Sequence, residues 1–195
     1  MTYDLLTALA IFAFVSSITP GPNNLMLMAS GANFGFVRTV PHMLGVGLGF
    51  VFMVVLVGLG LARAFEAAPV LHSVLKWASI AYLLYLAWKI ATAAPAQDRA
   101  AGGRPFTFLQ AAAFQWVNPK AWTMALTAVT VYTPDTALAS VLLVALVFGA
   151  INLPAVSSWT ALGVQMARLL RSARALRAFN WTMAALLIAS LYPTL

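Results

Sequence analysis

Two short motifs place prolines and amide side chains in parts of the chain that are otherwise apolar. The first is Thr19-Pro-Gly-Pro-Asn-Asn24 and the second is Asn118-Pro-Lys120. A proline removes one backbone donor and clashes with the carbonyl four residues back, so each motif should interrupt a helix and free backbone polar groups. Freed backbone groups, amides and a lysine can together bind a carboxylate and an ammonium group. Both motifs therefore predict a polar site for a small ligand.

The residues around these motifs are those of a membrane protein. Of the 195 residues, 63% are hydrophobic and 8% are charged, and the mean hydropathy is +0.91. The uncharged run from Leu5 to Val37 would rise about 50 Å as a straight helix, which exceeds a bilayer core of about 30 Å. A break near Gly21 lets this run fit. In lipid, freed backbone groups need partners inside the protein or in a wet cavity, so each break implies polar groups beside it.

We predict an all-α, polytopic membrane protein with six transmembrane helices in a single transmembrane domain, residues 1–195. Its organisation is a 3+3 inverted repeat, with a first three-helix repeat at 1–94 and a second at 106–195. A cytoplasmic linker at 95–105 joins the two repeats. The six spans are predicted at about 5–33, 40–61, 69–91, 106–132, 136–167 and 178–195. The first and fourth spans are broken at the two motifs, and we expect a further break in the fifth, at Asn152-Leu-Pro154.

In an inverted repeat the first and fourth helices cross the membrane in opposite directions, and paired breaks in them indicate a mid-membrane binding site. Beyond each break a half-helix begins with free N–H groups and a positive partial charge, which can hold a carboxylate. The carbonyls freed by the prolines, those of Ser16, Ile18 and Gln115, could accept from an ammonium group. The residues predicted to bind the ligand are Pro20, Gly21, Pro22, Asn23, Asn24, Gln115, Asn118, Pro119, Lys120 and Asn152.

Some of these predictions have structural alternatives. The asparagines could hydrogen-bond between helices at the breaks instead of binding a ligand. Lys120, at the centre of the fourth span, could cap carbonyls around Pro22 and act as a structural strut. A cation at that depth costs about 2.5–3.5 kcal/mol on insertion scales, so it needs either such acceptors or the carboxylate of a ligand.

Glycines and loop residues predict the packing and the orientation. Gly45 and Gly49, four residues apart in the second span, should let a neighbouring helix approach closely. We place His42 and His72 in successive loops, so that they face opposite sides of the membrane. Basic residues concentrate in the connections after the first, third and fifth spans, including the loop at 168–177. This pattern places those connections in the cytoplasm and both termini in the periplasm.

The combination of both proline motifs, the glycine-spaced second helix and the stretch Ala81-Tyr-Leu-Leu-Tyr-Leu86 resembles the lysine exporter (LysE) superfamily. The resemblance covers essentially the whole chain and is closest to the homoserine/threonine exporter branch. It implies a bacterial inner-membrane protein of six helices that exports amino acids or related metabolites and is driven by an ion gradient, with H⁺ as the expected coupling ion. The proline motifs of the family map onto Pro20, Gly21, Pro22, Asn23, Asn118, Pro119 and Lys120.

The chain departs from the lysine- and arginine-exporting branch of that superfamily, which carries an acidic residue early in its membrane region. Here the acidic residues are all terminal or in predicted loops: Asp4, Glu66, Asp98 and Asp135. A cationic ligand would meet Lys120 without a counter-charge, which is unfavourable at low dielectric. We therefore expect a neutral amino acid, of the threonine/homoserine or branched-chain type. The same absence leaves proton coupling without a carboxylate relay.

Other classes of function are weighed against residue content. The chain has no cysteine, no buried carboxylate pair and no pair of histidines on one side, so we predict that it is not an enzyme and holds no metal or cofactor. A passive channel or facilitator for small metabolites would use the same architecture and stays an alternative. The net charge of +7 is concentrated in short loops, which indicates the membrane and not nucleic acid as its partner. A homo-oligomer is compatible with the sequence.

Overall fold

The chain is described by a computed structural model, which covers residues 1–61, 69–93, 104–135, 137–170 and 172–192. All regular structure in these ranges is helical, as predicted. The α-helices are α1 (Tyr3–Ile18), α2 (Pro22–Phe34), α3 (Phe36–Leu56), α4 (Pro69–Ala91), α5 (Phe108–Phe114), α6 (Pro119–Tyr132), α7 (Leu138–Leu169) and α8 (Ala173–Ala189). A π-helical turn, Val57–Leu61, extends α3, and a 3₁₀ turn, Gln115–Val117, follows α5.

Three helical segments within the described ranges are long and apolar enough to cross a membrane: Phe36–Leu61, Ser73–Ala91 and Leu138–Leu169. The pair α1 and α2, bent by 54° at a short break, forms a fourth candidate. The other two predicted spans contain shorter helices. One consists of α5, its 3₁₀ turn and α6, and the other is α8, which has 17 residues. The polytopic helical fold is thus confirmed. In two of the predicted spans each single helix is too short to cross a membrane by length alone.

The first predicted break lies where the sequence places it. α1 ends at Ile18, and Thr19 and Gly21 are both extended. α2 then begins with Pro22 in its first position, where the missing N–H costs nothing because the first turn has no intrahelical acceptor for it. The two prolines therefore end one helix and start the next within four residues.

The second predicted break is built by different residues in the same way. α5 ends at Phe114 and tightens into the 3₁₀ turn, after which Asn118 leaves the helical region. The Asn118 side chain accepts from the Lys120 backbone N–H at 3.2 Å, and Pro119 is the first residue of α6. Asn118 is thus the N-cap and Pro119 the first helical residue.

The predicted break in the fifth span is wrong. α7 runs without interruption from Leu138 to Leu169, with Pro154 inside it. A single proline removes one helical hydrogen bond, whereas the first break has two prolines and a glycine between them. Pro154 is exposed, and α7 packs along α1, α2 and α3, which holds the helix together across the lost bond.

Two loop predictions also need correction. α3 begins at Phe36, directly after Gly35, whose φ of +82° makes a tight turn that favours glycine. His42 therefore lies inside α3, where it is buried, and not in a loop. The last helix begins at Ala173 because Ser172 caps it, so Arg174 and Arg177 belong to α8 and the basic loop is shorter than predicted. Most of the predicted linker, 95–103, lies outside the described residues.

Small residues set the closest helix contacts. A Cβ added at Gly49 would lie 2.6 Å from the Ala112 Cα, and one added at Gly45 would meet the Phe108 carbonyl, so α5 packs directly on the glycines of α3. This confirms the predicted role of both glycines. In the same way, Gly31 of α2 meets the backbone of α7, and Gly163 of α7 meets the backbone of α2. α2 is therefore held in the centre of the bundle, with its N-terminus at the first break.

Candidate functional site

The two breaks meet at one cavity in the centre of the bundle, which we call the central cavity. Six amide or lysine side chains predicted from the sequence line it, together with the Gly21 backbone: Asn23, Asn24, Gln115, Asn118, Lys120 and Asn152. Pro20, Pro22 and Pro119 are not among its lining residues, and their part is to shape the backbone on either side of it. The sequence-predicted polar residues are therefore brought together, although they come from three separate stretches of the chain.

A reciprocal amide pair joins the two breaks. Asn23 Nδ2 donates to Gln115 Oε1 at 2.8 Å, and Gln115 Nε2 donates to Asn23 Oδ1 at 3.2 Å. Gln115 Nε2 also donates to the Ala111 carbonyl at 2.9 Å, which fixes the side chain to its own helix. The first turn of α2 is thus joined to the 3₁₀ turn of the second break. The two breaks can separate only if both hydrogen bonds between these side chains are broken.

Lys120 crosses from the second break to the first. Its Nζ donates to the Thr19 carbonyl at 2.7 Å and to the Pro20 carbonyl at 3.4 Å. These carbonyls follow the C-terminus of α1, where the helix dipole is negative, so a cation is favoured there. A Cβ added at Gly21 would lie 2.8 Å from Lys120 Cδ, so the glycine leaves room for the lysine stem. The capping contact predicted for a strut is present, and binding of a ligand by the ammonium group stays a prediction.

Other side chains already satisfy the carbonyls at the first break. Asn24 Nδ2 donates to the carbonyls of Ser17 and Thr19, each at 2.8 Å. Trp159 Nε1 of α7 donates to the Ile18 carbonyl at 3.1 Å. At the second break the Gln115 carbonyl accepts from the Asn118 N–H at 3.3 Å. Two of the three carbonyls predicted to receive an ammonium group, those of Ile18 and Gln115, are therefore occupied by the protein itself.

Asn152 offers the acceptor that those carbonyls do not. It is 5% exposed, and its Nδ2 donates to Ser17 Oγ at 3.0 Å. Its Oδ1 is buried and has no hydrogen-bond partner among the described residues. A buried acceptor left without a partner costs about 1–3 kcal/mol, so such groups usually have a reason. Asn152 lines the central cavity, and ligand binding by its Oδ1 stays a prediction.

Several lining and supporting residues were not predicted. Ser17 Oγ accepts a hydrogen bond from Asn152, and Trp159 donates one to the Ile18 carbonyl. An apolar wall is formed by Val46, Phe50, Met124 and Val156. Trp159 carried a usable signal, since a tryptophan in the middle of a span is unusual when most lie at the membrane interface. The apolar residues carried none, because they do not differ from the lipid-facing residues around them in the sequence.

The central cavity is small in this conformation. The centres of water molecules can occupy about 20 Å³ of it, which is room for about one water. Lys120 is the single charged residue among the described residues that line it. The described part of the chain contains no group of three or more histidine, cysteine or acidic residues that could hold a metal. Because the central cavity has room for only about one water, an organic ligand would need the helices around the breaks to move apart.

Comparison with known proteins points to membrane transport. The family model described as LysE type translocator matches residues 14–190. A cysteine/O-acetylserine efflux protein of Salmonella typhimurium is 35% identical over 133 residues, which cover 68% of this chain and 67% of the relative. The protein of the same name in Escherichia coli K12 is 35% identical over 121 residues, covering 62% of this chain and 61% of the relative. No solved structure matches the chain.

Proposed function

The chain belongs to the LysE type translocator family, and on that premise we propose that it exports a neutral amino acid across the bacterial inner membrane. As a member of this family the chain is a membrane translocator and not an enzyme. The observation that carries the substrate class is the central cavity. Among the described residues that line it, Lys120 is the one cation and Asn152 Oδ1 is the amide oxygen without a partner, and both lie near two helix starts. A zwitterion has a group for each of them, a carboxylate for the cation and an ammonium group for the amide oxygen.

The proposed binding mode assigns one group to each end of the zwitterion. The Lys120 ammonium leaves its carbonyl partners and meets the substrate carboxylate, helped by the positive start of α2. Asn152 Oδ1 accepts from the substrate ammonium. The Asn23–Gln115 pair opens and offers its amides to either end. Pro20, Pro22 and Pro119 set the geometry, while Asn24 and Asn118 hold the breaks in shape.

A neutral side chain is favoured on the substrate. No acidic residue is among the described residues that line the central cavity, so a lysine or arginine side chain would meet Lys120 at low dielectric without compensation. The apolar wall that includes Val46 and Phe50 suits a small uncharged group. Relatives named for cysteine and O-acetylserine efflux favour a substrate of that size over the branched-chain type. Threonine and homoserine, the substrates of the branch named from the sequence, fit the same chemistry.

A carrier that alternates between conformations is favoured over a passive channel. A channel needs a continuous wet path, whereas the centre of this bundle has room for about one water. The amide pair and the Lys120 contacts hold the two breaks together and give the closed form a defined structure. Export would then be driven by an ion gradient, with H⁺ as the proposed coupling ion. A facilitator remains the second candidate, because its residue content would be the same.

The test uses purified full-length protein in liposomes of bacterial phospholipid, loaded with one radiolabelled amino acid at a time. We expect export of O-acetyl-L-serine, L-threonine or L-homoserine above that of protein-free liposomes, and arginine at the protein-free rate. An imposed pH difference should drive accumulation against the concentration gradient. Rapid arginine transport without any neutral transport would contradict the proposed substrate class. Equilibration without accumulation, at any imposed pH difference, would identify a facilitator.

A further inference from the structure

A second and larger cavity lies beside α2, between α3, α4 and the segment 104–106, and we call it the side cavity. The centres of water molecules can occupy about 340 Å³ of it, which is large enough for a small organic molecule. Two exposed cations, Lys89 and Arg104, line it, and no acidic residue is among its described lining residues. The side cavity therefore carries a positive charge that nothing described within it neutralises.

His42 is a buried polar residue that lines this cavity. Its side chain is 1% exposed, and neither ring nitrogen has a hydrogen-bond partner among the described residues. An imidazole always carries at least one N–H donor, and a buried donor without a partner costs about 1–3 kcal/mol. The Phe106 ring stands beside it, with ring centroids 5.1 Å apart, and Lys89 Nζ lies 5.2 Å from the centroid of the same ring. These contacts hold His42 and Lys89 on one aromatic side chain.

The other buried polar groups of the side cavity are occupied. Asn33 exchanges amide hydrogen bonds with Asn180 at 2.8 and 3.2 Å, and Ser30 bonds the Thr39 hydroxyl at 3.0 Å. His42 is thus different from them, since it lines the cavity with its hydrogen-bonding capacity unused. An unused donor and two cations that line one cavity are suited to an oxyanion.

We propose that the side cavity is a first binding site for the carboxylate of the exported amino acid, which Lys89 and Arg104 attract and to which His42 donates. The proposal rests on the proposed function, because it takes the same solute as its ligand. α2 lines both cavities, the central one with Asn23 and Asn24 and the side one with residues from Met26 to Phe34. At 1.5 Å per residue, Asn24 and Ser30 are about 9 Å apart along the helix. α2 therefore connects the two cavities along one helix.

The side cavity also contains the apolar surface that a small amino acid needs for its side chain. Leu86, Ile90 and Phe34 line it together with the polar groups. An anionic phospholipid would present the same oxyanion chemistry on an apolar body, so the test must separate the two sources. It must also separate the side cavity from the central one.

The chain has no cysteine, which makes single-cysteine variants specific reporters. Thr92 is exposed and lines the side cavity, so Thr92→Cys is reconstituted in discs of phosphatidylcholine and labelled with a maleimide. O-acetyl-L-serine should slow the labelling several-fold, and L-serinamide, which lacks the carboxylate, should not. The protecting concentration should rise at least tenfold in Lys89→Gln/Arg104→Gln and in His42→Leu. It should stay unchanged in the charge-matched control Arg174→Gln/Arg177→Gln, whose arginines are exposed on α8.

Some outcomes would overturn the proposal. Equal protection by serinamide would show that the carboxylate is not recognised, and equal loss in the Arg174→Gln/Arg177→Gln control would show a general charge effect. Protection by added phosphatidylglycerol alone would assign the cavity to lipid. Loss of protection in Lys120→Met would mean that the label reports the central cavity. Transport by the unmodified protein without any protection would refute the side cavity alone, whereas protection without transport would refute the proposed function and leave the binding site standing.

Discussion

At the scale of single residues, polar side chains at the central cavity form hydrogen bonds from one break to the other. Asn23 and Gln115 are 92 positions apart in the chain, and Lys120 is 101 positions from Thr19, yet each pair is in hydrogen-bond contact. The sequence could single out Asn23, Gln115 and Lys120 because polar residues stand out in an apolar span. It could not predict their partners, since these come from the packing of helices that are distant along the chain.

The amide pair gives a prediction at this scale. Gln115→Leu leaves the Asn23 amide without its partner, and we expect a loss of about 1–3 kcal/mol in the free energy of unfolding. The double variant Asn23→Leu/Gln115→Leu removes both polar groups and should recover part of that loss, so that the two changes are not additive. The measurement is the melting temperature of the purified single and double variants in one detergent. Strict additivity would mean that the two amides do not interact in the folded protein.

His42 shows what residue-level reasoning misses. From the sequence we predict it in a loop, but Gly35 makes the turn and α3 begins at Phe36. The histidine is consequently buried on the wall of the side cavity. A histidine near a helix start has the same sequence signal whether it faces water or the interior of the bundle, so its burial could only come from the packing.

At the scale of helices, the two proline motifs do what their sequences require, and the single proline of α7 does not. Pro20 and Pro22 end α1 and start α2, and Asn118 with Pro119 starts α6. Pro154 stays within a continuous helix. Local rules predict a break when two or more of them agree, as at a double proline with glycine or an asparagine cap before proline. One proline alone leaves the outcome to the packing around the helix.

The glycines of α3 give the prediction for this scale. In Gly49→Ala the new Cβ would stand 2.6 Å from the Ala112 Cα, so α3 and α5 must move apart, at a cost of about 1–3 kcal/mol. Gly47→Ala is the matched control on the same helix. Its Cβ would lie 3.2 Å from the end of the flexible Leu153 side chain, which can move aside. We expect a melting temperature several degrees lower for Gly49→Ala and an unchanged or higher one for Gly47→Ala, and the reverse order would contradict the packing described for α5.

At the scale of the whole molecule, the helix pairing agrees with the predicted inverted repeat. The span formed by α1 and α2 packs on α7, α3 packs on α5, and α4 packs on α8. Exchanging the halves converts the contact between the first and fifth spans into that between the fourth and second, and leaves the third and sixth paired. This is the relation that a pseudo-twofold axis in the membrane would produce. The repeat at 1–94 and 106–195 stays a prediction, and the pairing supports it.

Orientation in the membrane gives the prediction at this scale. α7 has 32 residues and rises about 48 Å, so its ends lie on opposite sides of a bilayer core of about 30 Å. Ala139, in its first turn, and Ala173, just beyond its last turn, are both exposed. Single cysteines there should react with an impermeant maleimide from opposite sides, Ala139→Cys in intact cells and Ala173→Cys in inverted vesicles. Labelling of Ala173→Cys in intact cells would place the termini in the cytoplasm and refute the orientation derived from the basic residues.

The most direct measurement concerns the charge at the centre of the two breaks. Lys120→Met keeps the length of the side chain and removes the ammonium group that contacts the carbonyls of Thr19 and Pro20. Thr123→Val, one turn further on the exposed face of α6, is the control. Exchange of radiolabelled O-acetyl-L-serine is measured in proteoliposomes, together with the melting temperature of each purified variant.

If Lys120 binds the substrate carboxylate, exchange by Lys120→Met falls at least tenfold while its melting temperature stays within a few degrees of the unchanged protein. The Thr123→Val control keeps both values. A large fall in the melting temperature of Lys120→Met would make the lysine a structural strut, and exchange at the unmodified rate would remove Lys120 from the site.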